Sequence, residues 1–273
     1  MNGPVATGFR DPDAAPVVDH LVGYLDGATG VERILEGKRA RAALLAPVPG
    51  ISVLDVGCGT GDSLRLLAER VGPGGRAVGV DVSSALLDVG RNRAEAEGWS
   101  AEWVHRDAAA LPFDDGEFDA CLAERMLQHV DDPDAVVREM RRVTRPRGAV
   151  VVAEPDWGTL LVDGGAGEIT DRVVAAAGAR VRHPHVGRRL RRLLIDAGLI
   201  DVTVDAEVHV TADPALARPL ALLDQAVEDL GASGEVGTNE LERWQEALEA
   251  DASAGRFTAS IMLFVARGYA PTP

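Results

Sequence analysis

The fold is decided by the stretch Val53-Leu54-Asp55-Val56-Gly57-Cys58-Gly59-Thr60-Gly61-Asp62. A short apolar run ends on a carboxylate, three glycines follow at alternate positions, and an apolar helical pattern begins at Leu64. This order predicts a buried parallel strand, a tight turn and a helix, because glycine permits positive φ and lets a ligand approach bare backbone. Amides in the turn and at the start of the helix are expected to form a donor-rich concavity, with the ligand over the carboxyl end of the sheet.

The spacing of the glycines distinguishes this turn from other nucleotide-binding turns. It is G-x-G-x-G over 57–61, not the G-x-G-x-x-G of dinucleotide enzymes and not the G-x-x-x-x-G-K-[ST] of phosphate-binding loops. No lysine follows to hold phosphates, and Asp55 suits a cationic group better than a pyrophosphate. A strand–turn–helix unit that binds no ligand is the alternative.

Charge and composition restrict the partners. The chain has 273 residues and a net charge of −15, which argues against nucleic acid because phosphate binding needs a basic surface. Lys38 is the only lysine, so we expect no lysine chemistry. Cys58 and Cys121 have neither the spacing of a zinc site nor a context that favours a disulfide. With no secretion signal and no run of ~20 apolar residues, we expect a cytoplasmic protein without a membrane span.

The sequence pattern changes after residue 154. Residues 1–16 predict a loose arm, and 17–46 predict two helices. Strands alternate with helices through 51–154, which predicts a parallel sheet with helices on both faces and a fifth strand at 149–153. Later strands are expected at 202–210 and 257–266, among helices at 168–179, 186–197, 214–230 and 239–252.

The string D-V-G-C-G-T-G-D at 55–62 resembles motif I of class I S-adenosylmethionine (SAM)-dependent methyltransferases. The resemblance is to the small-molecule enzymes of ubiquinone and menaquinone biosynthesis and their natural-product relatives. It implies an α/β fold, a Rossmann-like seven-stranded mostly parallel sheet with an antiparallel last strand, helices on both faces and a helical lid. It divides one catalytic domain into an arm with cap helices (1–50), a SAM-binding core (51–154), and lid helices with C-terminal strands (155–273).

Acids at the ends of successive strands are the next feature of the site. Asp81 ends the second strand, where a carboxylate can accept hydrogen bonds from ribose hydroxyls; a helix cap or a surface acid is the alternative. The resemblance assigns Asp81 to the ribose, Val82 to the adenine, and Asp107 with Ala108 to the adenine edge. SAM is the implied cofactor, S-adenosylhomocysteine (SAH) its product, and no metal is expected. The predicted cofactor contacts are Asp55, Gly57, Cys58, Gly59, Gly61, Asp81, Val82, Asp107, Ala108, Glu124 and Arg125.

The segment 124–130 follows the fourth strand and resembles the family segment that passes beneath the methionine part of SAM. His129 is a candidate general base, since imidazole has a pKa near ~6.5, although it could instead anchor the loop. Further catalytic candidates are Glu154, at a strand end, and His185. The predicted substrate contacts are Met126, Trp157 and His183. The alternative for Trp157 is plain packing, and the alternative for His183 and His185 is a position on the lid surface.

The implied reaction is methyl transfer to an O, N or C nucleophile of a small metabolite. An acidic surface with a lidded cleft favours a neutral or apolar acceptor. The absence of [ND]-P-P-[YF] after the fourth strand disfavours methylation of DNA bases or protein glutamine. One alternative is an enzyme that holds SAM while catalysing a cyclisation or rearrangement. Another is a SAM-binding partner protein without catalysis, and a homodimer is a possible assembly.

Overall fold

The protein forms one seven-stranded sheet with helices packed around it. We describe it from a computed structural model that covers Asp13 and residues 17–46, 48–165 and 167–272. Apart from Asp13, the predicted loose arm at 1–16 lies outside the described residues. Of the helices in the described ranges, none is both long enough and apolar enough to span a membrane.

Strands and helices alternate through the first part of the chain, as the sequence predicts. The strands are β1 (Ser52–Val56), β2 (Arg76–Asp81), β3 (Glu102–His105), β4 (Phe118–Glu124), β5 (Thr144–Asp163), β6 (Ile200–Thr211) and β7 (Thr258–Tyr269). The helices are α1 (Val17–Thr29), α2 (Glu32–Leu44), α3 (Asp62–Val71), α4 (Ser84–Glu97), α5 (Pro133–Val143), α6 (Gly167–Ala179), α7 (Leu190–Asp196), α8 (Pro214–Leu220), α9 (Leu223–Ser233) and α10 (Thr238–Ser253).

The strand order is β3-β2-β1-β4-β5-β7-β6. Neighbours from β3 to β5 pair in parallel, and β7 runs antiparallel to both β5 and β6. The predicted mostly parallel sheet with an antiparallel last strand is therefore confirmed. The order reverses between β1 and β4, and such a reversal opens a crevice at the carboxyl ends of the strands.

Three apolar clusters hold these layers together. One face of the sheet packs on α5 and α7, and the opposite face packs on α2, α3 and α4. Alternation along each strand explains this division: Leu54 and Val56 enter the first cluster, whereas Val53 enters the second. A third cluster joins α1, α6, α8, α9 and α10 to the far end of β5 and β7, and we call it the cover.

Several ends shift by one to three residues, and three elements differ more from the sequence prediction. β5 does not end at Ala153 but continues to Asp163, because its pairing with β7 extends from Ala149 to Asp163 across an irregularity after Asp156. The helix predicted at 214–230 is two helices, since Leu222 between them has a left-handed φ of 56°. The helix predicted at 186–197 starts with a 3₁₀ turn at Gly187–Arg189 before α7.

Candidate cofactor site

A cavity of about 340 Å³ opens at the carboxyl ends of β1, β2 and β4, where the strand order reverses. Its volume lies in the range of small-ligand pockets. The sheet supplies its floor, and side chains from outside the predicted core supply much of the opposite wall. Those side chains are Tyr24, Leu25, Ala28, Thr29, Lys38, Val181, Arg182 and Leu222.

The glycine turn after β1 is not the donor-rich concavity that its sequence predicts. The amides of Gly57 and Cys58 both donate to the carbonyl oxygen of Val80, at 2.7 and 3.0 Å. The Gly61 amide donates to Cys58 O at 2.9 Å, and the Gly59 amide donates to Asp81 Oδ2 at 2.8 Å. Four amides of the turn therefore already have acceptors within the protein. This arrangement explains why the turn suits a ligand other than a phosphate.

The carboxylate of Asp55 lies beneath this turn and lines the cavity. The residue is only 2% exposed, and its Oδ2 has no hydrogen-bond partner in the described part of the chain. Burial raises the pKa of Asp55 to about 7, although the nearby Lys38 ammonium acts in the opposite direction. A buried acceptor without a donor is costly, so this position favours a ligand that carries a donor or a positive charge.

Asp81 is the last residue of the neighbouring strand β2, two residues beyond the register partner of Asp55. Its Oδ1 accepts from the Ser83 amide at 2.9 Å and its Oδ2 from the Gly59 amide at 2.8 Å. Burial raises its pKa, against the effect of these backbone donors. Each carboxylate oxygen has two lone pairs, so both oxygens keep capacity to accept from ligand hydroxyls. Ser83 in turn caps α4 by accepting from the Leu86 amide.

Glu124, at the end of β4, is held by cations from α2. Arg41 is 1% exposed and donates to Glu124 Oε1 at 2.8 Å, while Lys38 Nζ lies 3.5 Å from the same oxygen. Burial would raise the pKa of Glu124, but Lys38, Arg41 and, more weakly, Arg125 outweigh it and lower the pKa to about 2. Arg41 also donates to Glu207 Oε2 of β6 at 2.6 Å. This ionic cluster ties α2 to both β4 and β6.

Arg125 follows Glu124 and adopts a left-handed conformation with φ of 57°. For a residue other than glycine this conformation costs about 1–3 kcal/mol, and such strain concentrates at functional sites. The side chain lines the cavity, donates from Nη2 to the hydroxyl of Tyr24 on α1, and lies over the Tyr24 ring with Cζ 5.5 Å from the centroid.

Met126, His129 and Trp157 also line the cavity. The Met126 side chain lies against Gly57, where an added Cβ would come within 2.7 Å of Met126 Cβ, so the turn needs glycine there. The His129 amide donates to Met126 O at 2.9 Å. Trp157 lies within β5 rather than after it, and its indole N–H donates to Gln128 Oε1 at 2.8 Å.

Most of the predicted cofactor contacts line the cavity. They are Asp55, Gly57, Cys58, Gly59, Asp81, Val82, Asp107, Ala108, Glu124 and Arg125. Gly61 is not among the lining residues, because it faces Trp103, which an added Cβ would approach to 2.4 Å.

Three other predicted residues lie outside the cavity lining. Glu154 is fully buried, and its Oε1 accepts from the Met126 and Leu127 amides at 2.8 and 2.5 Å. His183 Nε2 lies 2.9 Å from Val130 O. His185 is largely exposed and faces Asp156 at 3.4 Å. Each of these three side chains therefore contacts another part of the protein, and none of them lines the cavity.

Sequence reasoning missed Lys38, Arg41 and Tyr24. We expected no lysine chemistry, yet the single lysine lines the cavity and its Nζ donates to Ser63 Oγ at 3.2 Å. The partners of Lys38 are 25 or more residues away along the chain, so no local sequence motif predicts these contacts. Within the described ranges, no three His, Cys, Asp or Glu side chains lie close enough together to hold a metal ion.

A family model described as a methyltransferase domain matches residues 53–148. Over 250 residues the chain is 35% identical to an uncharacterized 37.1 kDa protein in transposon TN4556 of Streptomyces fradiae, covering 89% of this chain and 70% of that protein. Over 107 residues it is 42% identical to the ubiquinone/menaquinone biosynthesis C-methyltransferase of Hahella chejuensis. That match covers 38% of this chain and 43% of the enzyme, less than half of its length.

Among solved structures, the fold is similar to that of phosphoethanolamine N-methyltransferase 2 of Haemonchus contortus in complex with S-adenosyl-L-methionine. The TM-score is 0.62 at 20% identity, over 97% of this chain and 60% of the other. At this identity the similarity establishes the fold alone.

Proposed function

Because the chain belongs to the class I SAM-dependent methyltransferases, we propose that it transfers a methyl group from SAM to an O, N or C nucleophile of a small metabolite, leaving SAH. The acceptor is neutral or apolar over most of its surface. The chain works as one catalytic domain, in which the core at 51–154 binds the cofactor and the flanking segments cover it.

The observation that carries this proposal is the chemistry of the glycine turn. Its amides are satisfied internally, whereas the two carboxylates around it, Asp55 and Asp81, keep acceptor capacity toward the cavity. This arrangement suits a ligand with hydroxyl and cationic groups and does not suit a pyrophosphate. SAM has a ribose diol, an ammonium and a sulfonium, so the residues present fit it.

Each part of the cofactor has candidate partners along the cavity. Asp81 would accept from the ribose hydroxyls, and Asp55 would lie on the side of the ammonium. Lys38 would supply positive charge for the carboxylate. The adenine would be held by residues at the end of β2 and after β3, namely Val82, Asp107 and Ala108.

SAM supplies the reactive methyl group, so the chain's own task is alignment, exclusion of water and control of protons. The cover excludes water by placing apolar side chains such as Leu25, Trp157 and Leu222 against the cavity. His129 is the candidate to take a proton from the acceptor, since its segment lines the same cavity. These apolar walls support an acceptor with a mainly apolar body.

Other features remain predictions. They are the cytoplasmic location, the possible homodimer, the absence of nucleic-acid partners and the absence of a metal requirement. The net charge of −15 supports the third of these.

The test is to incubate the purified protein with SAM and a panel of small aromatic and quinol acceptors, and to follow SAH together with the methylated product. Calorimetric titration with SAM runs beside it, with Asp81→Ala as the site variant and Asp88→Ala, an exposed acid of α4, as its control. We expect tight binding that Asp81→Ala weakens and Asp88→Ala preserves. Unchanged affinity in Asp81→Ala would contradict the ribose assignment.

The same assay separates the alternatives. An acceptor that is converted to an isomer without SAH would indicate a cyclisation or rearrangement with retained SAM. Tight SAM binding without a methylated product and without an isomer of any acceptor in the panel would favour a non-catalytic SAM-binding protein.

A further inference from the structure

The cavity contains a half-buried cation, the Arg125 side chain, that forms no direct ion pair with a described acid. The Arg125 guanidinium donates to the hydroxyl of Tyr24 and lies over its ring. In the ranges 17–46, 48–165 and 167–272 no carboxylate forms an ion pair with it. The chain has 43 acidic and 28 basic residues, so counter-charges are abundant elsewhere in the molecule.

The other cationic side chains of the cavity are satisfied in different ways. Lys38 lies 3.5 Å from Glu124 Oε1, and Arg182 pairs with Asp131. Arg106 is exposed, so water can solvate its charge. Arg125 is partly withdrawn from water and is bonded only to a neutral hydroxyl in the described part of the chain. Its charge also acts on the buried carboxyls of Glu124 and Glu154, but neither forms an ion pair with it, and Glu124 is paired with Arg41 and Lys38. A charge withdrawn from water is stable only when it is paired, so a ligand anion is the natural partner.

The position of Tyr24 indicates which ligand this is. Tyr24 and its neighbour Leu25 pack on the cover, together with Trp157 and Leu222, which line the cavity. The guanidinium is therefore held at the apolar cover side of the cavity. The carboxylates that suit the cofactor, Asp55 and Asp81, lie at the strand ends on the floor.

We propose that Arg125, positioned by Tyr24, is an anion-binding subsite for the methyl acceptor, which is an apolar molecule carrying a single carboxylate. The proposal rests on the methyl-transfer function above and refines its acceptor. A planar guanidinium matches a carboxylate in bidentate geometry, and a carboxylate is ionised at neutral pH. The acidic surface does not attract such a ligand over long distances, so recognition depends on this local contact.

The test measures binding rather than turnover. Native protein is titrated calorimetrically with 2-naphthoate and with its uncharged isostere 2-naphthamide, with and without saturating SAH. We expect the acid to bind at least tenfold more tightly than the amide. Arg125→Gln should abolish that preference. Arg125→Lys keeps the positive charge but not the planar bidentate donor, and it should retain part of the preference. Arg182→Gln is the matched control and should keep the preference, because its charge is already paired with Asp131.

SAH affinity is measured for every variant and reports an intact fold. The proposal moves Arg125 from the predicted cofactor contacts to the acceptor site, so we expect Arg125→Gln to bind SAH within twofold of native. A tenfold loss of SAH affinity would assign Arg125 to the cofactor carboxylate and overturn the proposal. Equal binding of the acid and the amide, no binding of either, or a preference that survives Arg125→Gln would also overturn it. A native protein that binds no SAH would instead count against the proposed function, and the naphthoate titration without SAH still decides the subsite.

Discussion

We predict that Asp55 makes SAM binding dependent on pH. In the free protein, burial raises the pKa of this carboxyl to about 7, so the group holds its proton below that pH. A cation bound beside Oδ2 would favour the ionised form and return the pKa toward 3.8. Cofactor binding then requires release of the proton. One pKa unit corresponds to about 1.4 kcal/mol, so we expect SAM affinity to rise about 100-fold from pH 5 to pH 8 and to level off above 7.

Calorimetry measures this linkage directly. Titrations with SAM at pH 6 in two buffers of different ionisation enthalpy give the number of protons released, which should be close to one for native protein. Asp55→Asn has no proton to release, so its affinity should be lower than native at pH 8 and nearly independent of pH. Asp107→Asn, which removes an exposed acid from the same rim, is the control and should keep the native slope.

Lys38, Glu124, Asp81 and Asp62 also face this carboxyl and influence its charge. If one of them carried the proton instead, Asp55→Asn would show the same rise in affinity with pH as native protein. That outcome, or an affinity that falls as the pH rises to 7, would refute the reasoning.

Three further predictions concern stability, measured by equilibrium urea unfolding. Glu124→Gln should lower the free energy of unfolding by about 3 kcal/mol, and Glu207→Gln should lower it clearly less, because the side chain of Glu124 is 5% exposed and that of Glu207 is 32% exposed. Equal losses in the two variants would contradict this prediction. Since the folded pKa of Glu124 is about 2, its contribution is present above pH ~4.5 and is lost as the pH falls toward 2. Gly57→Ala should cost about 2 kcal/mol more than Gly72→Ala, because φ is positive at both positions but only the first Cβ meets another side chain; similar costs would count against that clash. Burial raises the pKa of Glu154 to about 8, so native stability should fall as the pH rises from ~4.5 through 8. The free energy of unfolding of Glu154→Gln should then exceed that of the native protein by up to about 5 kcal/mol at pH 9. A native protein equally stable at pH 6 and 9 would disprove the last prediction.

The parts of the fold that local patterns encode were predictable. The glycine turn, the caps Ser83 and Asp132, and the alternation of strands with helices each depend on neighbours within a few residues. The meeting of the acids at the strand ends followed from the same pattern, because parallel strands bring their carboxyl ends to one edge. These features place the cavity.

Features that depend on distant pairing were not predictable. Glu154-Pro155-Asp156 reads as the end of a strand, yet β5 continues because β7, more than 90 residues later, supplies its hydrogen bonds. The donor capacity of the glycine turn was misjudged because its acceptor is Val80 on another strand. The contacts of Arg41 span 83 and 166 residues, and no local motif encodes them.

The position of Lys38 gives the protein a built-in chemical reporter. It is the only side-chain primary amine in the chain, it is 14% exposed, and it lines the cavity. An amine-directed acylating reagent therefore modifies one side chain, and mass spectrometry resolves that product from acylation of the chain terminus. Ligands that occupy the cavity slow this reaction. Occupancy can thus be followed by a single mass shift, without a labelled cofactor and without knowing which acceptor the enzyme uses.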